Sequence, residues 1–364
     1  MSCTDCKDYL SFLGLQAIYN QYWKDKKIPL IGVIELTYQC NFRCVHCYAT
    51  NHHNQPFLSY DQIVRIVDEM ANAGTLILTL SGGDPLAHPD FIPIYKYVKQ
   101  KGIFVEIFTN GTLIDNSIIE LFLEYPPMNI DITIYGASEA TYRQVTGVGN
   151  GFKMVMQAVN LLSENNIKFT LKTCVIRENM DDLPTIRAFA ESLGVNYRYS
   201  FDIAPSIDGK ISVRHHMLSP EEIVALEKAD SKRVQQWSKQ SLGEIDEVPY
   251  YELPIFNCKT GKFTFCINAN GFLSGCIHDR STLFNLNSGS FLKGWYYINE
   301  QIHKPVITPN YPCASCSYLP FCNTCPADSQ REFGSPYIVN PNQCALAELR
   351  YNTFGRKEDC IYDI

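Results

Sequence analysis

Short apolar runs alternate with longer amphipathic segments from about residue 30 to residue 205. Six runs rich in β-branched and aromatic residues predict strands: Leu30–Thr37, Thr75–Ser81, Ile103–Thr109, Asn129–Tyr135, Ile167–Ile176 and Asn196–Asp202. The segments between them have helical periodicity; in Ser59–Ala73, for example, apolar residues recur every three to four positions. Ser59 and Gln62 have the spacing of a capping box, which predicts that this helix begins after Ser59.

Repeated strand–helix units with apolar strands predict an α/β fold, in which helices cover a parallel sheet. Eight units would close an ordinary barrel, so six favour a partial (β/α)6 TIM-like barrel. A doubly wound sheet is the alternative, because periodicity does not distinguish the two. The residues that suggest chemistry follow directly after the strands, where barrel enzymes build their active sites. These are the cysteines that begin at Cys40, then Ser81–Pro85, Thr109–Gly111 and Tyr135-Gly136. This placement favours the barrel.

The barrel would occupy residues 30–205, and the rest of the chain divides into three further regions. Residues 1–29 predict an N-terminal helical extension, with apolar residues at helical spacing over Tyr9–Trp23. Residues 206–250 predict a bridge that contains a helix at Leu218–Lys228. Residues 251–364 are rich in cysteine, glycine and proline and show weak periodicity. We expect this last region to lack a large apolar core and to fold around metal.

Composition and charge exclude several classes of protein. The formal net charge is −7, and no lysine- or arginine-rich run is present, which argues against a nucleic-acid partner. No apolar window approaches the 18 residues of a membrane span, and the first residues are polar and charged rather than typical of a signal peptide. The sequence therefore predicts a cytoplasmic protein with no membrane partner.

The chain has 15 cysteines, and most of them lie in two clusters. In a reducing compartment, clustered cysteines indicate metal binding or catalysis rather than disulfides. Cys40, Cys44 and Cys47 form a C-x3-C-x2-C loop, which suits an iron–sulfur cluster or a zinc ion with a fourth ligand. A [4Fe–4S] cluster on three cysteines would leave one iron open to a substrate or cofactor. The histidines that keep zinc as an alternative are His46, His52 and His53.

The second cluster fills the last third of the chain and consists of Cys258, Cys266, Cys276, Cys313, Cys316, Cys322, Cys325 and Cys344. Its two C-x2-C pairs are separated by five residues, whereas zinc ribbons have about 15–20 residues between their pairs. The close run followed by Pro326 is nearer to the spacing of bacterial ferredoxins. We therefore favour iron–sulfur over zinc in this region.

The first cysteine loop, with His46 before its last cysteine, resembles the signature of the radical S-adenosylmethionine (SAM) enzymes. Gly82-Gly83-Asp84-Pro85 is similar to the GGE motif of that family, with Asp in place of Glu. The resemblance covers about 170 residues and implies that Cys40, Cys44 and Cys47 hold a SAM-binding [4Fe–4S] cluster. By motif and by position at strand ends, the expected SAM pocket contains Gly82, Gly83, Asp84, Thr109, Asn110 and Thr133.

The C-terminal cysteines resemble a SPASM domain, except that Cys322 and Cys325 are separated by two residues rather than three. The resemblance implies two auxiliary [4Fe–4S] clusters, and hence three clusters in total. It assigns Cys258, Cys266, Cys276 and Cys325 to the first auxiliary cluster and Cys313, Cys316, Cys322 and Cys344 to the second.

Four cysteines remain outside these sets: Cys3, Cys6, Cys174 and Cys360. Cys174 lies in a predicted strand, where we expect a small buried residue. Some SPASM enzymes carry an Asp directly after the cysteine that matches Cys276, where this chain has Ile277. Asp279 follows shortly after and is our candidate proton acceptor.

The resemblance implies an oxidoreductase that cleaves SAM reductively to a 5′-deoxyadenosyl radical and abstracts hydrogen from a residue of a peptide or protein. The expected outcome is an oxidative modification of a ribosomally made peptide: a crosslink, a dehydrogenation or a decarboxylation. Expected partners are a peptide or protein substrate and a flavodoxin or ferredoxin-type electron donor. Leader-peptide binding would need a separate protein or the SPASM surface. The alternatives are a small-molecule substrate, such as a tetrapyrrole or cofactor precursor, and a non-catalytic iron–sulfur electron carrier.

Overall fold

A computed structural model describes residues 26–49, 57–208, 212–240 and 253–355. The helix predicted at Tyr9–Trp23 lies outside the described residues. Cys3, Cys6 and Cys360 and the pair His52-His53 also lie outside them. In the part of the chain that the structure describes, no helix is long and apolar enough to cross a membrane.

All six predicted strands are present and pair in parallel within one sheet. They are β1 (Ile31–Thr37), β2 (Ile77–Gly82), β3 (Phe104–Thr109), β4 (Asn129–Thr133), β5 (Thr170–Cys174) and β6 (Asn196–Ser200). The helices between them are α1 (Tyr60–Asn72), α2 (Phe91–Gln100), α3 (Asn116–Glu124), α4 (Glu139–Thr146), α5 (Gly151–Glu164) and α6 (Leu183–Ser192). The spatial order β6-β5-β4-β3-β2-β1 follows the chain without a reversal. A doubly wound sheet would reverse its order at a switch point, so the predicted partial (β/α)6 barrel is confirmed.

Local signals in the sequence account for where these elements begin. The hydroxyl of Ser59 accepts a hydrogen bond from the backbone N–H of Gln62 at 3.3 Å, and Gln62 Oε1 accepts one from the Ser59 N–H at 2.9 Å. The predicted capping box of α1 is thus confirmed. Strand residues such as Leu36, Leu80 and Ile107 are fully buried, because helices cover one face of the sheet and the barrel interior covers the other.

Three strands from the C-terminal region extend the sheet beyond β1: β7 (Thr264–Ile267), β8 (Phe272–Ser274) and β9 (Phe284–Asn285). β7 pairs with β1 in parallel and places Cys266 opposite Val33, and β8 and β9 continue antiparallel. On this extension, Phe265 packs against Phe291 and Trp295 of α9 (Phe291–His303), in the same apolar core as the barrel strands. The expectation that the last region lacks a large apolar core is therefore wrong for residues 263–302. Its core positions are spread over short strands and one helix, which weakens the periodic signal.

The predicted bridge contains α7 (Pro220–Lys228) and α8 (Ser231–Gln240), and α10 (Pro326–Phe333) and α11 (Pro341–Phe354) follow the last close run of cysteines. Glu227 of α7 accepts two hydrogen bonds from the guanidinium of Arg350 of α11, at 2.8 and 3.0 Å. Both side chains are buried. Because an unpaired buried charge is costly, this ion pair holds α11 against the bridge.

Candidate active site

The loops that follow β1 to β4 meet around one cavity of about 250 Å³, which we call the loop cavity. Among the residues predicted from the sequence, its wall contains Cys40, Cys44, Cys47, Gly82, Gly83, Thr109, Asn110 and Thr133. The wall also includes Tyr135 after β4 and Ile277 from the C-terminal region. The carboxyl ends of parallel strands therefore bring together residues that are about 90 positions apart in the chain, as a barrel active site requires.

The cysteine loop is held in shape by backbone hydrogen bonds. The Arg43 N–H donates to Thr146 O at 2.8 Å and the Val45 N–H to Val145 O at 2.9 Å, which joins the loop to the end of α4. The Cys40 sulfur accepts hydrogen bonds from the Phe42 N–H at 3.4 Å and from Asn110 Nδ2 at 3.5 Å. The loop therefore presents its thiols to the cavity from a fixed backbone.

The three thiols of this loop are not close enough together to bind one ion in common. Burial raises the pKa of the Cys40 and Cys44 thiols and raises that of Cys47 to about 11, so they need a bound cation to become thiolates. Two sulfurs on one tetrahedral zinc lie about 3.8 Å apart. Among the described residues, neither the three thiols nor a set that includes His46 brings three ligand atoms within 4.8 Å. A [4Fe–4S] cluster binds each cysteine at a separate iron, so it does not require the three sulfurs to meet at one ion.

The glycine pair Gly82-Gly83 lets β2 end directly against the cysteine loop. Gly82 has a φ of +130°, and a Cβ there would lie 2.1 Å from the Thr37 carbonyl oxygen. The Gly83 N–H donates to that same oxygen at 2.7 Å, and the Asp84 N–H donates to Gln39 O at 2.9 Å. Any larger residue at position 82 would push apart the two strands that carry the cysteines and the motif.

Asp84 is fully buried and does not line the loop cavity. Its Oδ2 accepts hydrogen bonds from the Thr109 hydroxyl at 2.7 Å and the Asn110 N–H at 2.9 Å, and its Oδ1 accepts one from the Leu86 N–H at 3.0 Å. Burial raises the pKa of this carboxyl to about 6. The side chain of Asp84 is therefore directed away from the loop cavity. It bonds to the residues after β3 and holds Thr109 and Asn110 in position.

Lys172 of β5 lines the loop cavity and was not predicted from the sequence. Its Nζ lies 3.4 Å from the centroid of the Phe108 ring and 3.8 Å from Asp131 Oδ2. Burial lowers the pKa of Lys172 to about 8, although the Asp131 carboxylate opposes that shift. The signal in the sequence was a charged residue in the middle of the short strand β5.

A buried ion pair connects the cysteine loop to the C-terminal region. Arg280 donates to both carboxylate oxygens of Glu35 on β1, at 2.9 and 3.0 Å. The hydroxyls of Tyr38 and Tyr48 donate to the same carboxylate at 3.0 and 2.6 Å. Tyr48 directly follows Cys47, and Arg280 lies four residues after Cys276. The two cysteine regions therefore share one buried carboxylate.

We expect Arg280→Ala to lower the free energy of unfolding by about 3–5 kcal/mol, because the fully buried Glu35 loses its countercharge. Chemical denaturation followed by tryptophan fluorescence measures this change. The double variant Glu35→Gln/Arg280→Met, which removes both charges, is the matched control and should recover much of the loss. A loss below about 1 kcal/mol in Arg280→Ala, the range of an exposed pair, would contradict this account of the pair.

A second cavity of about 480 Å³, which we call the polar cavity, shares His46 and Tyr48 with the loop cavity. Cys174 lies in its wall and is half-buried, so the expectation of a small buried residue is met only in part. Burial raises the pKa of this thiol to about 12. His46, in the wall of both cavities, has its Nδ1 buried without a hydrogen-bond partner among the described residues.

Several of the C-terminal thiols lie close enough to influence one another's pKa values. The pKa of Cys322 is raised to about 11, mainly by burial and also by the nearby thiols of Cys313, Cys344 and Cys316. Burial, the Asp328 carboxylate and the Cys276 thiol raise the pKa of Cys325 to about 12. Cys276 likewise contributes to the raised pKa of Cys266, whereas Cys258 is exposed.

Asp279, the candidate proton acceptor, is fully buried and lines neither the loop cavity nor the polar cavity. Its Oδ1 accepts hydrogen bonds from the backbone N–H groups of Ser281 and Thr282 at 3.0 and 3.1 Å. This oxygen therefore stabilises the turn after Cys276, while Oδ2 is buried with no hydrogen-bond partner among the described residues.

Residues 34–190 match the family model of the radical SAM superfamily. Among curated relatives, an AdoMet-dependent heme synthase of Methanosarcina barkeri is 24% identical over 349 residues, which cover 87% of this chain and 96% of the synthase. The mycofactocin maturase MftC of Mycobacterium tuberculosis is 23% identical over 325 residues, which cover 84% of this chain and 80% of the maturase.

Among solved structures, Streptococcus suis SuiB bound to its precursor peptide SuiA aligns with a TM-score of 0.69 at 18% identity, covering 92% of this chain and 81% of SuiB. That likeness shows a shared fold, which extends through the C-terminal region as well as the barrel. The family match and the cysteine loop at the carboxyl end of β1 agree with each other. Residues 34–190 therefore form a radical SAM domain.

Proposed function

We propose that this radical SAM enzyme modifies a peptide, with SAM in the loop cavity and the peptide in the polar cavity. The observation that carries the proposal is that the two cavities adjoin. The loop cavity, which is lined by the three thiols and Gly82-Gly83, shares His46 and Tyr48 with the larger polar cavity. When bound, the cluster supplies the electron that splits SAM into methionine and a 5′-deoxyadenosyl radical. The chain's own residues orient SAM, exclude water and present the substrate.

Lys172 is the proposed partner of the SAM carboxylate, because its ammonium is a cation in the wall of the loop cavity. Thr109, Asn110 and Thr133 would supply hydroxyl and amide groups to the rest of the molecule. Asp84, which lies outside the cavity wall, would hold Thr109 and Asn110 in position. A carboxylate paired with an ammonium in a confined site forms a strong, charge-assisted hydrogen bond.

We expect Lys172→Met to weaken SAM binding about 10- to 100-fold, the range for a lost hydrogen bond to a charged group. Since the pKa of Lys172 is about 8, the ammonium is charged below that pH and loses its proton above it. SAM affinity of the wild type should therefore fall between pH 7.5 and 9. Equilibrium dialysis with labelled SAM across this range measures both effects. The same pH dependence in Lys172→Met would show that another group is responsible.

The C-terminal region is proposed to hold two auxiliary [4Fe–4S] clusters. Cys313, Cys316, Cys322 and Cys344 provide four thiols for one of them, and their mutual influence supports this set. Cys266, Cys276 and Cys325 provide three thiols for the other, and its fourth ligand is considered below. These clusters would accept the electron left after hydrogen abstraction, and a flavodoxin or ferredoxin-type protein would supply the first electron.

The lining of the polar cavity favours a peptide over a tetrapyrrole. Its neutral hydrogen-bonding residues are Ser200, Asn323, Thr324, Ser329, Asn340 and Gln343. Gln343 Oε1 is buried with no partner among the described residues, so it can accept a bond from a peptide N–H. Arg214 is paired with Glu332, and the acid Asp202 also lies in the wall. A tetrapyrrole precursor with several carboxylates would need several unpaired cations there.

Deuterium transfer into 5′-deoxyadenosine tests the substrate class. Anaerobic enzyme with SAM and dithionite would receive either peptides from a digest of fully deuterated protein or deuterated iron coproporphyrin III. We expect deuterium in 5′-deoxyadenosine from the peptides, and none with the Cys44→Ala control. Transfer from the porphyrin and not from the peptides would reject the peptide and support the second candidate. That second candidate, a tetrapyrrole substrate, is favoured by the similarity that spans 96% of the heme synthase.

A further inference from the structure

His278, Cys325 and Asp328 are grouped tightly in the wall of the polar cavity. One ligand atom from each lies within 4.8 Å of the others, and no other trio of His, Cys, Asp or Glu in the described ranges meets this condition. Imidazole, thiolate and carboxylate are ligands of first-row transition metals. His278 lies two residues after Cys276, and Asp328 lies three residues after Cys325 in the first turn of α10. The group therefore joins two segments that carry proposed cluster cysteines.

Asp328 orients the histidine ring. His278 Nδ1 lies 3.0 Å from Asp328 Oδ1, and Arg331 Nη2 donates to the same oxygen at 2.8 Å. When Nδ1 donates its proton to the carboxylate, the lone pair of Nε2 is left for another partner. Metal-binding histidines have this arrangement, in which a carboxylate behind the ring fixes its tautomer and its direction.

Arg331 provides a second, independent indication of a missing group. Its side chain is only 7% exposed, and Nε and Nη1 are buried with no acceptor among the described residues. Leaving two charged donors unpaired in a buried position is costly. An anionic group next to Asp328 and Cys325, such as a thiolate-bound iron–sulfur cluster, would satisfy them.

We propose that His278 binds an iron of the auxiliary cluster held by Cys266, Cys276 and Cys325, in the position that the SPASM resemblance gives to Cys258. This inference rests on the auxiliary clusters of the proposed function. Cys258 is exposed, as is Cys344 of the other set, whereas Cys266, Cys276 and Cys325 are buried or half-buried. The close contact of His278 with Cys325 is what favours the imidazole as the fourth ligand. A neutral imidazole in place of a thiolate raises the reduction potential of the cluster. The cluster facing the substrate cavity would thus accept an electron more readily.

Pulsed EPR tests this ligation without any substrate. The full chain with Cys40, Cys44 and Cys47 all changed to Ala leaves the auxiliary signals alone, and labelling with 15N-histidine identifies the nitrogen. We expect a nitrogen hyperfine coupling of the size given by a direct ligand. His278→Cys should remove the coupling and lower the reduction potential while keeping the iron, because a thiolate replaces the imidazole. Cys258→Ser, the matched control, should keep the coupling and the iron.

Three results would overturn the proposal. The first is an EPR spectrum of the chemically reduced auxiliary clusters that shows no directly bound nitrogen. The second is loss of about four irons in Cys258→Ser with none lost in His278→Ala. The third is one zinc per chain that His278→Ala releases, which would indicate a single-ion site. SAM cleavage by the wild type is measured in a separate experiment. If no SAM is cleaved, the proposed function is rejected, and the nitrogen coupling still shows whether His278 is a ligand.

Discussion

Protein purified under anaerobic conditions is expected to contain roughly 12 irons per chain, and the triple variant Cys40→Ala/Cys44→Ala/Cys47→Ala roughly 8. The physical reason is that the variant loses every thiol of the loop cavity and leaves both C-terminal groups of thiols intact. Iron and acid-labile sulfide, determined together, measure the change.

Cys174→Ala is the matched control for the iron measurement, because Cys174 lies in the polar cavity but outside every proposed ligand set. Its iron content should equal that of the wild type. A wild-type value near four that the triple variant abolishes would contradict the auxiliary clusters and keep the first. If the protein contained zinc instead of iron, in whatever amount, all three proposed clusters would be contradicted.

Asp84→Ala is expected to lower the free energy of unfolding by about 3 kcal/mol or more and to reduce SAM cleavage to near background. Three donors lose their acceptor in a buried place, and each unpaired group costs about 1–3 kcal/mol. Thr109 and Asn110 would then lose their fixed positions in the wall of the loop cavity.

Denaturation curves and 5′-deoxyadenosine yields measure the two effects of Asp84→Ala. Asp84→Asn keeps one carbonyl acceptor and should lose less stability, while the exposed Asp61→Ala should change either quantity very little. If Asp84→Ala cleaves SAM at the wild-type rate, then the buried carboxylate does not position the cavity wall.

The barrel could be predicted because its signals are local. Each strand is a short apolar run, each helix has its own periodicity, and caps such as Ser59 with Gln62 mark the boundaries. The convergence of the cysteine loop, Gly82-Gly83 and Asn110 followed from topology, since parallel strands end at the same rim. The spacing of the C-terminal cysteines did not by itself divide them into two groups. The proposed division came from the resemblance to a known domain.

The features that could not be predicted depend on contacts between distant segments or on side-chain direction. Glu35 and Arg280 are 245 positions apart, and nothing near either residue indicates the other. Asp84 was assigned to the SAM motif from its place in the sequence, but the direction of its side chain depends on donors from the loop after β3. Asp279 was chosen for its place in the sequence, but the turn around it satisfies its Oδ1.

The central claim is that the loop cavity carries out radical SAM chemistry, and formation of 5′-deoxyadenosine tests it most directly. Anaerobic wild type, reconstituted with iron and sulfide and supplied with SAM and dithionite, should produce 5′-deoxyadenosine and methionine in equal amounts. Cys44→Ala, treated in the same way, should produce no more than a sample without protein. If the wild type holds its iron but forms no 5′-deoxyadenosine, the claim is contradicted and the alternative of a non-catalytic electron carrier is favoured.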